Sequence, residues 1–82
     1  MTNHEGVEIE AGDWVVGGTA GIDRDAGEVI EVNADGTATV AWEAGACRIR
    51  DKMAIDCDVY SDRRAALIAA FGAERVRRAY GI

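Results

Sequence analysis

Residues 27–42 run Gly27-Glu28-Val29-Ile30-Glu31-Val32-Asn33-Ala34-Asp35-Gly36-Thr37-Ala38-Thr39-Val40-Ala41-Trp42. Two β-prone runs flank the tetrapeptide Asn33-Ala34-Asp35-Gly36, whose Asp-Gly pair suits a tight reversal. The second run alternates cleanly, with Ala38, Val40 and Trp42 on one face and Thr37, Thr39 and Ala41 on the other. The first run does not alternate. Val29, Ile30 and Val32 are all apolar, so burying the three together needs a bulge or a sharp bend. A β-hairpin with an irregular first strand is the expected nucleus of the fold.

The same signals extend on both sides. Asp13-Trp14-Val15-Val16 is apolar and β-prone, a short strand. Residues 17–27 carry glycines, Asp23, Arg24 and Asp25 and read as a long loop. Downstream, Cys47-Arg48-Ile49-Arg50 and Ile55-Asp56-Cys57-Asp58-Val59 alternate again, with Cys47, Ile49, Ile55, Cys57 and Val59 inward. The cysteines read as small buried hydrophobes. The chain has 82 residues, ten glycines and no proline, so Gly12, Gly27, Gly36 and Gly45 are expected to set the corners. From Ser61 the period changes to a helical one. Ser61 is the expected N-cap, Leu67, Ile68 and Phe71 form an apolar stripe, and Gly72 closes the helix. A second helical turn over residues 73–80 spaces Val76 and Tyr80 four apart.

With Gly12-Asp13-Trp14-Val15 as a strand start, Gly27-Glu28-Val29-Ile30-Glu31-Val32 as a second strand and Thr37-Ala38-Thr39-Val40-Ala41-Trp42 as a third, residues 12–60 resemble the SH3-like barrels of the KOW and Tudor type. The expected fold is therefore mainly β: a small five-stranded SH3-like barrel followed by a C-terminal helical segment. Residues 1–11 form an N-terminal arm or short strand, and residues 61–82 pack on the barrel or on a second subunit. The resemblance implies Val15 inward with Trp14 facing the other way, either exposed or under the C-terminal helix, a short helical turn near residues 51–54, and pairing of the fifth strand with the first. The residues alone also allow a direct hairpin of the last two strands, placing Cys47 opposite Cys57, Ile49 opposite Ile55 and Arg48 opposite Asp56. The barrel is preferred because it uses all five strands in one unit.

Charge separates the chain into two parts. The formal net charge is −6, with thirteen carboxylates against four basic residues in positions 1–60 and five arginines against two carboxylates in positions 61–82. An acidic barrel is a poor phosphate binder. The arginine-rich tail is the better nucleic-acid candidate, and Leu67–Val76 resembles part of a helix-hairpin-helix motif without its Gly-x-Gly hairpin. KOW and Tudor relatives also bind proteins, and the loop containing Asp23 and Asp25 lies where they often do so. The expected function is a non-catalytic interaction module that binds a protein partner, with self-association as a homodimer an added option. The alternative is a KOW/Tudor-like protein contacting DNA or RNA through its C-terminal arginines. The candidate binding residues are Trp14, Asp23 and Asp25, with Arg75, Arg77 and Arg78 as a second site. No catalytic residue, cofactor or metal is expected. The glycine-rich residues 17–21 lack a Walker lysine, the cysteines lack metal-site spacing, and the single histidine, His4, falls in an expected frayed terminus. The longest apolar run, residues 65–71, is too short to span a membrane. Residues 1–6 have no leader-like pattern. A cytoplasmic location with reduced cysteines is expected.

Overall fold

The computed structural model describes residues 1–44 and 48–82. Five strands, β1 (Trp14–Gly17), β2 (Asp25–Val32), β3 (Thr37–Trp42), β4 (Ile49–Met53) and β5 (Asp58–Tyr60), are followed by helices α1 (Arg63–Phe71) and α2 (Ala73–Tyr80). The strands form one antiparallel sheet in the order β4-β3-β2-β1-β5. A mainly β fold with five strands and a helical C-terminal segment is therefore present.

The hairpin of β2 and β3 reverses at residues 33–36, with Gly36 at φ 93°. Its register runs Glu28 opposite Ala41 and Val29 opposite Val40, then slips so that Glu31 faces Thr39 and Val32 faces Ala38. This bulge keeps Val29 and Val32 on one side of the sheet but does not bury the third apolar residue. Ile30 stays 49% exposed. Strand β2 also begins earlier than expected. Asp25, Ala26 and Gly27 pair with Gly17, Val16 and Val15, so the anticipated loop contracts to residues 18–24.

The last two strands do not pair with each other. Val15 faces Val59 and Trp14 faces Tyr60, which leaves β4 and β5 at opposite edges. A 3-10 turn, Ala54–Asp56, carries the chain between them. The inward assignment of Ile49 and Ile55 is corrected: they are 61% and 53% exposed. In β4, Arg50 faces Val40 and Lys52 faces Ala38 across the ladder, so the basic residues share the core side. Two-residue alternation then sends Ile49, Asp51 and Met53 outward. Ile55 sits on the 3-10 turn, whose buried member is Ala54. Cys57 is buried as expected. Cys47 and Gly45 lie outside the described residues.

The sheet separates two apolar clusters. On the inner face, Ile9, Val15, Val29, Ala38, Val40, Trp42, Ala54 and Cys57 are packed together, with Val32 and Val59 at the margin. On the outer face, Val16 and Ala26 meet Ala66, Leu67 and Val76 from the helices, with Trp14, Tyr60, Phe71 and Tyr80 around them. Alternation in β1 feeds both clusters: Val15 goes in, while Trp14 and Val16 go out under the helices. The N-cap of α1 is Asp62, not Ser61, and its carboxylate accepts from the Ala65 N–H at 2.8 Å. The geometry favours Asp62 because it stands three residues ahead of that orphan donor. Gly72, at φ 90°, separates the two helices.

The N-terminal segment is docked. Thr2 bridges Glu8, and Ile9 enters the inner core. Asn3 is buried; its amide donates to the Cys57 carbonyl at 3.0 Å while its oxygen accepts from the Glu5 and Val7 N–H groups at 2.9 Å. The His4 N–H donates to the Ile55 carbonyl. The expected frayed terminus is thus held against the end of the 3-10 turn and β5. No described helix is long and apolar enough to cross a membrane.

Candidate interaction surface

The candidate residues chosen from the sequence are distributed over three places. Trp14 is half-buried on the outer face, with the Arg63 guanidinium 5.9 Å above its ring. It helps seat α1. Asp23 is exposed and accepts from the Thr19 N–H at 2.7 Å, closing the loop before β2. Asp25 is buried; its carboxylate accepts from the Ala26 N–H at 2.8 Å and the Ala44 N–H at 3.1 Å. Asp25 therefore ties the start of β2 to the chain leaving β3. A cavity of about 30 Å³ opens beside it, between Asp23 and Asp25 on one side and Arg50 and Lys52 on the other. That volume holds a water or two, and Asp51 joins the two other carboxylates in its lining.

Burial pushes the Asp25 carboxyl above its ordinary value, with the two backbone donors acting in the opposite direction. The folded state then holds this proton more tightly than the unfolded chain. The contribution is present at low pH and is lost as pH rises from the ordinary carboxylate value through the raised one. Asp25→Asn keeps an acceptor oxygen for both N–H groups and removes the buried charge. It is expected to match or exceed the parent protein in urea unfolding at neutral pH, and, lacking the stability that a protonated Asp25 adds at low pH, to lose stability more steeply on acidification. Asp25→Ala leaves two donors unsatisfied and is expected to cost about 1–3 kcal/mol.

The arginines do not act as one block. Arg75 lies 5.2 Å over the Phe71 ring, and Arg78 donates to Glu74 at 2.6 Å. Arg63 bonds Glu43 at 3.4 Å. Arg64 and Arg77 border one shallow groove with Ala73, Glu74 and Ile82. Burial raises the Cys57 thiol to about 11, which keeps it protonated and poorly nucleophilic.

The surface that sequence reasoning missed is the other half of the outer face. One ladder row runs Tyr60, Trp14, Glu28, Ala41, Ile49 across all five strands. The helices cover its Tyr60 and Trp14 end. Beyond Glu28 the face carries Ile30 from β2 and Ile49 and Met53 from β4, all exposed. Glu28, Glu31 and Asp51 stand among them, also exposed. Asp51 accepts from the Thr39 hydroxyl at 2.7 Å, which fixes its position on the sheet. The result is a mixed apolar and acidic face on a rigid sheet. Its detection depended on the β4 register, because a shift of one residue would have turned Ile49 and Met53 inward.

No protein-family model, curated protein or solved structure matches the chain.

Proposed function

We propose that the chain is a non-catalytic interaction module built on an SH3-like barrel, and that it binds a protein segment carrying apolar side chains flanked by Lys or Arg. The strand order β4-β3-β2-β1-β5, with a 3-10 turn leading into β5, supports the barrel reading. The observation that carries the binding reading is the bare half of the outer face, where Ile30, Ile49 and Met53 are exposed among Glu28, Glu31 and Asp51. Apolar side chains supply the affinity of such a contact. Surrounding carboxylates select a basic partner and speed its approach. Trp14 and Asp25 support the module's architecture, and the Asp23 loop lies at the mouth of the small cavity.

The test compares captures from the source cells by the parent protein, an Ile49→Asp/Met53→Asp double variant and an Arg75→Ala/Arg77→Ala/Arg78→Ala triple variant. Recovered protein is then titrated calorimetrically at low and high salt. The double variant is expected to bind the recovered protein at least about tenfold more weakly, while the triple variant is unaffected and added salt weakens the parent complex. Undiminished binding by the double variant refutes the reading. A second reading rests on Arg64, Arg75, Arg77 and Arg78, all exposed on the helical segment. It requires DNA or RNA binding that salt suppresses and the triple substitution abolishes.

A further inference from the structure

The histidine sits at the β5 edge of the sheet, away from the exposed residues near the β4 edge. His4 Nε2 lies 2.5 Å from Asp58 Oδ1, at the start of edge strand β5. One ligand atom each from His4, Glu5 and Asp58 falls within 4.8 Å of the others. We propose that His4, Glu5 and Asp58 form a binding site for a divalent first-row transition ion, of which Zn²⁺ is the probe, separate from the interaction surface.

The chemistry of the donors fits. Imidazole nitrogen and carboxylate oxygen are both zinc donors, and three of them leave the remaining position to water. A tetrahedral ion about 2.1 Å from each ligand spaces the donor atoms about 3.4 Å apart. The observed spread brackets that spacing. The ion needs the His4–Asp58 contact to open by about an ångström and takes the place of the shared proton. The exposed Glu5 side chain closes in to complete the set. The charged groups acting on His4 are Asp58, Glu5 and Asp56, all carboxylates, so the local field favours a dication.

The backbone beneath the ligands is fixed by groups that do not themselves ligate. Buried Asn3 clamps the Glu5 and Val7 N–H groups and anchors to Cys57, one residue before Asp58. The His4 N–H is held by the Ile55 carbonyl. Asp58 is placed by the β5 ladder, opposite Val16. Two ligands from the N-terminal segment and one from β5, 54 residues from His4, are thus presented together. An ion there would add a side-chain link between the N-terminal segment and β5 to the links that Asn3 and the His4 N–H already make.

The experiment is a Zn²⁺ titration of the untagged protein, followed by two-dimensional ¹⁵N NMR and thermal unfolding. Site-resolved readout is needed because thiols also take zinc. The expected result is saturable 1:1 binding, with shifts confined to residues 3–7 and 55–59 and a rise in Tm. His4→Ala abolishes these changes. Glu5→Gln leaves the His4–Asp58 contact in place and weakens binding at least about tenfold. Both substitutions are on exposed side chains, so the fold survives them. The proposal is overturned if no saturable shift develops at millimolar Zn²⁺, if the shifts map elsewhere, or if His4→Ala binds like the parent protein.

Discussion

Gly27→Ala is expected to cost about 3 kcal/mol or more, the largest effect of any single-methyl change in the sheet. Gly27 lies in β2 with Val15 on one side and Trp42 on the other. A β-carbon there would stand 2.5 Å from Val40 Cγ1, 2.7 Å from the Ala41 carbonyl oxygen and 3.1 Å from Trp42 Cε3. None of the three can yield cheaply. The carbonyl belongs to a ladder strand, and Val40 and Trp42 are buried in the inner core. Interiors packed at crystal-like density pass such a displacement to their neighbours rather than absorb it. Urea unfolding checks the expectation: the midpoint should fall while the slope stays near the parent value, as it does when stability alone has changed. A loss under about 1 kcal/mol would mean that β1, β2 and β3 are not packed as described.

Gly27 also shows where the sequence could be read and where it could not. As punctuation, Gly27 looked like a corner before a strand, in the same class as Gly12 and Gly36. Those two do adopt positive φ, at 95° and 93°. Gly27 is instead mid-strand, required by close approach rather than by backbone conformation, and proximity between strands distant in sequence has no local signature. The β2–β3 hairpin was legible because its turn and the Ala38, Val40, Trp42 alternation are local signals. The β5–β1 pairing came from resemblance and not from the residues, which were equally content with a β4–β5 hairpin. The error at Ile49 and Ile55 has the same origin. Hydrophobic alternation names two faces but not which one is buried, and the choice was settled by Arg50 and Lys52 lying beside Val40 and Ala38. Of the candidate binding residues, Asp25 is a buried hydrogen-bond tie and Trp14 a seat for α1, places that depend on contacts between distant segments and have no local signature. The His4–Asp58 contact was beyond reach, since nothing local reveals that Asn3 clamps the N-terminus.

Leu67→Ala is expected to destabilise the protein by about 3 kcal/mol, within the range for a buried leucine that leaves a partly collapsed cavity. Leu67 is fully buried between α1 and the outer face, in contact with the cluster that includes Val16, Ala26 and Val76. Trp14 borders the same cluster, so the loosened helix should shift its fluorescence to the red before global unfolding. Ile49→Ala removes a branched side chain from β4, on the part of the outer face that the helices do not cover. Its expected cost is within about 0.5 kcal/mol, because Ile49 is 61% exposed. A helix residue packed on the outer face and a strand residue exposed on it thus differ sharply in cost, because only the first is buried. The comparison also measures self-association. Were Ile49→Ala to approach the Leu67→Ala cost, the bare half would be covered in solution by a second copy, and both the cost and the parent Tm would grow with protein concentration. A small, concentration-independent cost leaves Ile30, Ile49 and Met53 open to a partner. The same substitution should then cost little in folding and much in binding, a separation that Leu67, needed for the fold itself, cannot show.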